Sequence, residues 1–278
     1  MREQRKIIGF VPTMGALHKG HISLIDKAKQ ECDVVVCSIF VNPTQFNDLS
    51  DLEKYPRTFN IDCQLLTTAK TDIVFAPEVK EMYSEAELEL KRQKIEDKSW
   101  TLGKVVDFGK IGEVMEGAQR PGHFNGVAQV VSKLFRIVEP DKAYFGQKDF
   151  QQLAIIRSMV KQLEMPVKII GCPTLREPNG LAMSSRNERL SKEDRAKAGI
   201  ISETLFMIRE NRSLSSADEL ISLGLKHLAK MPGIQPEYLE IADPDTLQPL
   251  RKLEQNQPAV VCIAVKLGDV RLIDNVLI

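Results

Sequence analysis

The sequence predicts an α/β protein whose first part is built on a parallel sheet and whose last part is a small α+β domain. Short apolar runs alternate with helical patterns as far as residue 170, the order that gives a parallel sheet with right-handed crossovers. Beyond Pro173, two helical stretches precede three strand patterns, the order of an α+β unit. The length of 278 residues allows about two domains at roughly 150 residues each.

The strands of the first domain are predicted from short apolar runs that are typical of strands buried on both faces. They are Ile7–Val11, Asp33–Val41, Asp72–Pro77, Ala143–Phe145 and Val167–Ile170. Pro12 is expected to end the first strand. The helices between them are predicted at a stretch carrying Ile22, Ile25 and Ala28, at Asp62–Ala69, at Phe124–Val138 and at Gln151–Glu164.

The second domain is predicted to begin near residue 174, which gives limits of 1–174 and 175–278. Its helices are expected at Lys192–Asn211 and Ser216–Lys230, and its strands at Glu237–Ala242, Ala259–Val265 and Val270–Leu277. Gly268 and Asp269 predict a hairpin turn between the last two strands. The charged stretch Glu78–Lys98 is either a partner-binding arm or a solvated helix or loop.

Composition excludes several classes of protein. The 38 basic and 38 acidic residues give a net charge of zero, so nothing in the overall charge attracts nucleic acid or an anionic membrane. The five cysteines are odd in number and form no C-x-x-C pair, which argues against a disulfide framework and a zinc site. No run approaches the roughly 20 apolar residues of a membrane span. We therefore expect a cytoplasmic protein that binds neither nucleic acid nor membrane.

Two histidines at the start of a predicted helix form the first candidate site. His18 and His21 stand at i and i+3, so they share one helical face, and Gly20 leaves room for a ligand near the backbone. The free N–H groups and the positive dipole of a helix N-terminus attract phosphate. The H-x-G-H pattern is typical of nucleotidyl transfer in class I tRNA synthetases and small adenylyltransferases. The alternative is two unrelated surface histidines.

A glycine turn that carries a lysine follows the fourth predicted strand. Gly146 permits close approach to the backbone, Lys148 is a point charge for phosphate, and Asp149 can accept a hydrogen bond from a ribose hydroxyl. Ligands of α/β sheets bind at the carboxyl ends of strands, where this turn is expected. The same residues equally fit a plain turn in which Asp149 caps the next helix.

Three further loops carry polar residues that have a functional and a plain interpretation. Ser184–Arg186 offers two hydroxyls and a guanidinium to a phosphate, or forms an ordinary polar loop. Asn42 and Gln45 suit a substrate that bears hydroxyl groups, but Asn-Pro also starts turns. Arg120 can pair with a carboxylate, although the Pro-Gly turn after it is common in loops.

Together these blocks resemble the pantothenate synthetase family, also called the pantoate–β-alanine ligases. The resemblance covers almost the whole chain in order. Its matching blocks are PTMGALHKGH at 12–21, FVNPTQF at 40–46, YPRT at 55–58, EGAQRPGHFNGV at 116–127, FGQKDFQQL at 145–153, REPNGLAMSSRN at 176–187 and AVKLGDVRLIDN at 264–275.

The resemblance implies a Rossmann-like nucleotidyltransferase domain with a smaller C-terminal lid, in a homodimer. It also implies the ATP-dependent joining of pantoate to β-alanine through a pantoyl-adenylate, with Mg²⁺, releasing AMP and pyrophosphate. The catalytic residues that it implies are His21, His18 and Lys148. The ATP-binding residues that it implies are Met14, Gly15, Ala16, Leu17, His18, Lys19, Gly20, His21, Gly146, Gln147, Lys148, Asp149, Leu175, Met183, Ser184, Ser185 and Arg186. It assigns pantoate to Gln45, Gln152 and Asn42, β-alanine to Gln45 and the metal to Asp62, beside which Ile61 stands where several members have a second acid.

Two other functions are weighed against this one. The first is a nucleotidyltransferase that stops at an adenylated or cytidylated product, against which the C-terminal domain and the pair Gln45 and Gln152 argue. The second is a catalytically idle nucleotide-binding module, against which the retention of both histidines, Lys148 and Arg186 argues.

Overall fold

The computed structural model describes residues 6–46, 49–94, 106–213 and 216–278. These residues form two compact units. The first unit extends to Gly146 and resumes over Gln151–Cys172, and the second comprises Gln147–Phe150 and Pro173–Ile278. The short segment Gln147–Phe150 therefore belongs to the second unit, although it interrupts the first in the sequence. The domain limits of 1–174 and 175–278 stay a prediction.

A five-stranded parallel sheet forms the centre of the first unit, in the order β3-β2-β1-β4-β5. Its strands are β1 (Ile8–Thr13), β2 (Val34–Ile39), β3 (Ile73–Phe75), β4 (Lys142–Gly146) and β5 (Lys168–Cys172). This confirms the predicted α/β class. The direction of winding reverses between β1 and β4, and the carboxyl ends of strands at such a switch point are where Rossmann-like folds bind ligands.

Helices connect these strands. They are α1 (Lys19–Glu31), α2 (Leu49–Lys54), α3 (Phe59–Thr68), α4 (Val79–Met82), α5 (Glu85–Lys94), α6 (Met115–Gln119), α7 (His123–Val138) and α8 (Phe150–Gln162). The face of α7 predicted to be apolar is buried in one core with Phe10, Ala143 and Phe145 of the sheet. The charged stretch from residue 78 forms α4 and α5 as far as 94, and residues 95–98 lie outside the described residues.

The second unit is a three-stranded antiparallel sheet covered by helices. The strands β6 (Ile234–Ala242), β7 (Val260–Leu267) and β8 (Val270–Leu277) lie in sequence order, and Gly268 and Asp269 form the predicted hairpin turn. The helices are α9 (Lys192–Lys197), α10 (Ile200–Glu210) and α11 (Ala217–Leu228). Their apolar faces and the strands share one core, which includes Leu205, Leu220 and Ile263. The predicted small α+β domain is thus confirmed as a fold class.

Two local predictions were wrong, each for a physical reason. Pro12 does not end β1, because β4 pairs only with Gly9 and Phe10, so the missing N–H of Pro12 costs no ladder bond on that side. The helix predicted over 192–211 is two helices, and Gly199 lies at the break. A Cβ at Gly199 would lie 2.5 Å from the carbonyl oxygen of Asn179, so the segment that carries Asn179 packs closer to the backbone at 199 than any residue with a side chain allows.

Within the described part of the chain, no helix is long and apolar enough to cross a membrane.

Candidate active site

The chain between β1 and α1 folds into a tight loop, here called the histidine turn (Met14–His21). It leaves the carboxyl end of β1 beside the switch point between β1 and β4. Gly15 and Ala16 have φ angles of 80° and 49°, in the left-handed region, so the chain reverses sharply there. Helix α1 then begins at Lys19 with His18 as its N-cap, so the N-terminal end of the helix lies in this turn.

The two histidines of this turn cap the same helix start. Nδ1 of His18 accepts a hydrogen bond from the backbone N–H of Gly20 at 3.1 Å, and Nδ1 of His21 accepts one from His18 N at 3.3 Å. The ring centroids lie 4.1 Å apart, so the side chains are adjacent, as the i, i+3 spacing predicts. Because Nδ1 is the acceptor in each ring, a neutral ring carries its proton on Nε2.

Asp62, on α3, ties the histidine turn down from one side. Its Oδ2 accepts a hydrogen bond from Ala16 N at 3.0 Å, and its Oδ1 accepts bonds from Leu17 N at 2.8 Å and from Thr58 Oγ1 at 3.2 Å. Only 1% of Asp62 is exposed. Both carboxylate oxygens are therefore engaged by donors of the chain itself.

This geometry does not fit a resident Mg²⁺ at Asp62. Magnesium binds to oxygen ligands in near-octahedral geometry and usually keeps several waters, which requires an open carboxylate. The oxygens of Asp62 face N–H and O–H donors, and its neighbour Ile61 is apolar and exposed. Across residues 6–46, 49–94, 106–213 and 216–278, no group of three or more His, Cys, Asp or Glu side chains is placed to hold a metal ion. The metal role implied for Asp62 therefore has no support in its surroundings.

Asn42 and Gln45 lie on one short turn after β2, here called the amide turn (Asn42–Gln45). Oδ1 of Asn42 accepts hydrogen bonds from Thr44 N at 3.2 Å and from the Tyr83 hydroxyl at 2.9 Å. Its Nδ2 donates to Gln45 Oε1 and to Gly126 O, both at 3.2 Å. With 1% of the residue exposed, Asn42 is an internal scaffold that orients Gln45.

The side-chain amide of Gln45 has a weaker set of partners than that of Asn42, whose oxygen and nitrogen are both hydrogen-bonded within the fold. Its Nε2 lies 2.8 Å from the sulfur of Met14, a weak acceptor, so the amide links the two turns without a strong internal partner. Its backbone carbonyl oxygen lies 2.8 Å from Nδ1 of His123. Gly126 brings α7 directly against this turn, since a Cβ there would lie 2.5 Å from Thr44 O.

The consecutive glutamines of α8 have opposite environments. Gln151 is buried, and its amide donates to the carbonyl oxygens of Ile111 and Val114 at 2.7 and 2.8 Å and accepts from Glu116 N at 3.0 Å. Gln152 is half-buried, and its side chain forms no hydrogen bond among the described residues. The glutamine that the resemblance assigns to pantoate is thus the one whose amide is not used by the fold.

In the second unit, the segment Gln147–Asp149, here called the lysine turn, is held by the last strand. Nδ2 of Asn275, on β8, donates to the carbonyl oxygens of Gln147 at 2.9 Å and Lys148 at 2.7 Å. Asn275 is 7% exposed. The Lys148 ammonium lies 3.5 Å from the Asp149 carboxylate, which is more exposed than the lysine.

A buried ion pair and a polar loop lie in the same unit. Arg176 donates from both terminal nitrogens to Asp274, at 2.5 and 3.1 Å, directly beside Asn275. Met183 N donates to Leu175 O at 2.9 Å, so these two residues, each predicted to bind ATP, form one backbone pair. Ser184 then caps a short turn by accepting from Arg186 N at 3.3 Å. The polar-loop interpretation describes the local structure of Ser184, and its contact with phosphate stays a prediction.

Cysteines near the sheet are not activated thiols. Burial raises the pKa of Cys37 to about 12, and burial also raises the pKa values of Cys32 and Cys172. A reactive cysteine needs the opposite shift, because the thiolate is the nucleophile.

Comparison with known proteins identifies the family. The model of the family described as pantoate-beta-alanine ligase matches residues 1–277. The chain belongs to the pantoate–β-alanine ligase family. The predictions of this family and of an enzyme of this type are therefore confirmed.

Relatives within the pantoate–β-alanine ligase family match over nearly their whole length. The chain is 52% identical to a pantothenate synthetase of Porphyromonas gingivalis over 275 residues, which are 99% of this chain and 92% of the relative. Among solved structures, pantothenate synthetase from Thermus thermophilus is 42% identical, with a TM-score of 0.87 over 98% of this chain and 93% of the other. A pantoate-beta-alanine ligase from Francisella tularensis, solved in complex with beta-gamma ATP and beta-alanine, is 38% identical, with a TM-score of 0.75 over 99% and 90%.

In this ligase, the sequence does not indicate the supporting contacts of three buried side chains. Asp62 supports the histidine turn, Gln151 holds the segment from Ile111 to Glu116, and Asn275 holds the lysine turn. Each acts on backbone atoms far along the chain, up to 128 residues for Asn275 and Gln147. A single sequence carries no periodicity or spacing that predicts such contacts.

Proposed function

We propose that the protein condenses pantoate with β-alanine at the expense of ATP, through a pantoyl-adenylate, and releases AMP and pyrophosphate. The observation that carries this proposal is the pair of Nε2–H groups of His18 and His21 at the N-terminus of α1. Donors at a positive helix end are suited to phosphate oxygens that gain charge as pyrophosphate leaves. The Francisella tularensis relative, which was solved with beta-gamma ATP and beta-alanine, is consistent with these substrates.

Adenylation overcomes the poor reactivity of a carboxylate. A carboxylate oxygen of pantoate attacks the α-phosphorus of ATP, and the bond to pyrophosphate breaks in line. The β-alanine amine then attacks the acyl carbon, AMP leaves, and the amine proton passes to solvent. His18, His21 and Lys148 neutralise charge in the first step. The raised pKa values of Cys32, Cys37 and Cys172 agree with a route that needs no covalent thiol intermediate.

The ATP-binding role rests on backbone and charge. We assign it to the histidine turn (Met14, Gly15, Ala16, Leu17, His18, Lys19, Gly20 and His21), to Gly146 with the lysine turn (Gln147, Lys148 and Asp149), and to Leu175 with Met183–Arg186. The N–H groups of Gly15, Ala16, Leu17 and Gly20 are engaged within the chain. The positive N-terminal end of α1 and the charges of Lys148 and Arg186 are therefore what attract the phosphates.

Pantoate is assigned to the amides of Gln45 and Gln152, which keep free hydrogen-bonding capacity or only a weak internal acceptor. Gln45 is assigned to β-alanine as well. Asn42 serves pantoate through Gln45, because its own amide is consumed by the fold.

Three broader properties are part of the proposal. Magnesium enters with the nucleotide, and no residue of this chain is assigned as its ligand. The protein works in the cytoplasm as a homodimer. Light scattering at micromolar concentration tests the dimer, and a mass of one chain would contradict it.

Pyrophosphate exchange separates the proposal from its two alternatives. We expect labelled pyrophosphate to enter ATP when pantoate is present and β-alanine is absent, and pantothenate to form once β-alanine is added. Exchange without any amide product would favour a nucleotidyltransferase that stops at the adenylate. No exchange at any pantoate concentration would favour an idle nucleotide-binding module, and exchange that requires β-alanine would contradict a free-standing adenylate.

A further inference from the structure

Asp62 is one of the least exposed charged residues that the structure describes, and it faces the backbone of another element. It lies on α3, and its carboxylate accepts the N–H groups of Ala16 and Leu17 from the loop between β1 and α1. The two residues are 46 and 45 positions away in the chain. Successive N–H groups directed at one point form an anion-binding concavity, and here the anion is a side chain of the protein.

The histidine turn depends on such an anchor. Ala16 has a φ of 49°, a conformation that a residue with a Cβ rarely adopts, and Gly15 beside it has a φ of 80°. Helix α1 starts only at Lys19, so the N–H groups of Ala16 and Leu17 precede the helix and receive no intrahelical bond. Without the Asp62 carboxylate, these two donors would lose the acceptor that holds the reversal in place.

The contact between Asp62 and the histidine turn also restricts which residue can stand at position 15. The Cβ of any residue at Gly15 would lie 3.0 Å from Asp62 Oδ2, so the carboxylate and the turn are packed against each other. His18 follows Leu17 directly, and its backbone N–H is the donor to His21 Nδ1. Asp62 fixes the backbone of Ala16 and Leu17, and that backbone leads directly into His18, whose N–H in turn holds the ring of His21.

We propose that Asp62 is a positioning residue that sets the geometry of His18 and His21, and that it is not a magnesium ligand. The proposal rests on the proposed function in that the positioned histidines are the groups that act on ATP. It predicts that loss of the carboxylate slows adenylation and leaves the magnesium requirement unchanged. Loss of a metal ligand would instead raise the Mg²⁺ concentration needed for the half-maximal rate.

The decisive variant is Asp62→Asn, with Asn60→Ala as the control at an exposed position of the same helix. The amide has nearly the same shape but must turn an NH₂ group toward the N–H of Ala16 or of Leu17, so one bond becomes a repulsion. We expect adenylation to fall about 10²-fold, the effect of a displacement of about 1 Å in an active site, with no recovery at high Mg²⁺. A higher Mg²⁺ concentration at half-maximal rate, with the rate restored in excess Mg²⁺, would overturn the proposal.

A second measurement decides the matter without catalysis. The ring resonances of His18 and His21, two of only four histidines in the chain, are recorded by NMR in EDTA-treated protein without nucleotide. We expect Asp62→Asn to shift both and Asn60→Ala to shift neither, and unchanged resonances in Asp62→Asn would overturn the proposal. If wild-type protein shows no pyrophosphate exchange, the proposed function fails, while the resonances still decide whether Asp62 positions the rings.

A milder variant covers the case in which Asp62→Asn does not fold. Thr58→Val removes the bond to Asp62 Oδ1 and keeps the carboxylate and its charge. We expect smaller shifts of the same two rings at an unchanged magnesium requirement. Rings that do not move, or a changed magnesium requirement, would overturn the positioning role.

Discussion

His18 and His21 hold the start of α1 through Nδ1: His18 Nδ1 accepts the backbone N–H of Gly20, and His21 Nδ1 accepts the backbone N–H of His18. The arrangement settles which nitrogen of each ring serves the backbone. The Nδ1 atoms are structural, and the Nε2–H groups are the ones that the proposed function assigns to phosphate. In each ring, Nδ1 stabilises the helix start and Nε2–H is the proposed phosphate donor, so a substitution can remove one of these atoms and keep the other.

Substitution of His21 by asparagine separates these two atoms. Asparagine Oδ1 replaces Nδ1 as acceptor for His18 N, and no atom replaces Nε2. We expect His21→Asn to slow single-turnover adenylation about 10²–10³-fold, the usual loss for one preorganised donor. The melting temperature should stay close to that of wild type, because the cap is retained.

Two comparisons control this result. His21→Ala removes cap and donor together and should lose stability as well as rate, while Asp26→Ala, at an exposed position on α1, should change neither. An asparagine variant that adenylates at the wild-type rate would remove His21 from the chemistry.

The two glutamines of α8 give a matched pair. We expect Gln152→Ala to raise the KM for pantoate at least about tenfold and to leave the KM for ATP and the stability nearly unchanged, because the fold does not use this amide. Gln151→Ala should instead lower the free energy of unfolding in urea by about 1–3 kcal/mol, since it removes the hydrogen bonds that Ile111 O accepts from and Glu116 N donates to the Gln151 amide. An equal rise in both KM values for Gln152→Ala would reassign it to general support.

The amide of Asn275 gives a prediction with a pH dependence. Asn275→Asp places a carboxylate oxygen against the carbonyl oxygens of Gln147 and Lys148, so we expect adenylation at neutral pH to fall about 10²-fold. The introduced carboxyl is buried beside Asp274, which favours its neutral form, and a protonated carboxyl can donate one hydrogen bond. The ratio of variant to wild-type rate should therefore rise as pH falls.

Asn256→Asp, at an exposed position in the same unit, controls for the added charge and should follow the wild-type pH profile. A constant ratio of the Asn275→Asp rate to the wild-type rate from pH 8 to pH 5 would show that donation to the lysine turn is not what the amide provides.

Glu31 makes the stability of the first unit sensitive to acid. Hydrogen bonds from Lys27, and then from Tyr144, lower the pKa of Glu31 from 4.5 to about 2. A lowered pKa means that the ionised form stabilises the fold above about pH 4.5, and that this contribution is lost as the pH falls toward 2. We expect Glu31→Gln to melt earlier than wild type at pH 7 and the difference to shrink between pH 4.5 and pH 2.5. Glu53→Gln, at an exposed position of α2, is the control for the removal of a surface carboxylate.

The fold could be predicted because its signals are local. Short runs of neighbouring apolar residues predict the buried strands and the apolar face of α7, and glycines within the histidine turn predict a loop there. The roles of Asp62 and Asn275 are not local, because their partners are backbone atoms of distant segments whose positions exist only after folding. The sequence blocks single out Gln45, whose contact with substrate stays a prediction, and its support by Tyr83 through Asn42 becomes visible only in the folded chain.

Under the proposed assignment of pantoate to Gln45, the close approach at Gly126 bears on which acids the enzyme can accept. The first turn of α7 rests on the amide turn with no side chain between them, and a Cβ there would also lie 2.8 Å from the Cα of Gln45. An added methyl group would push Gln45 away from the helix and so change the room left for an acid next to its amide. The range of acids would then depend on a position that has no side chain to contact the substrate. Libraries intended to yield product analogues from bulkier hydroxy acids should therefore vary Gly126 together with the polar residues.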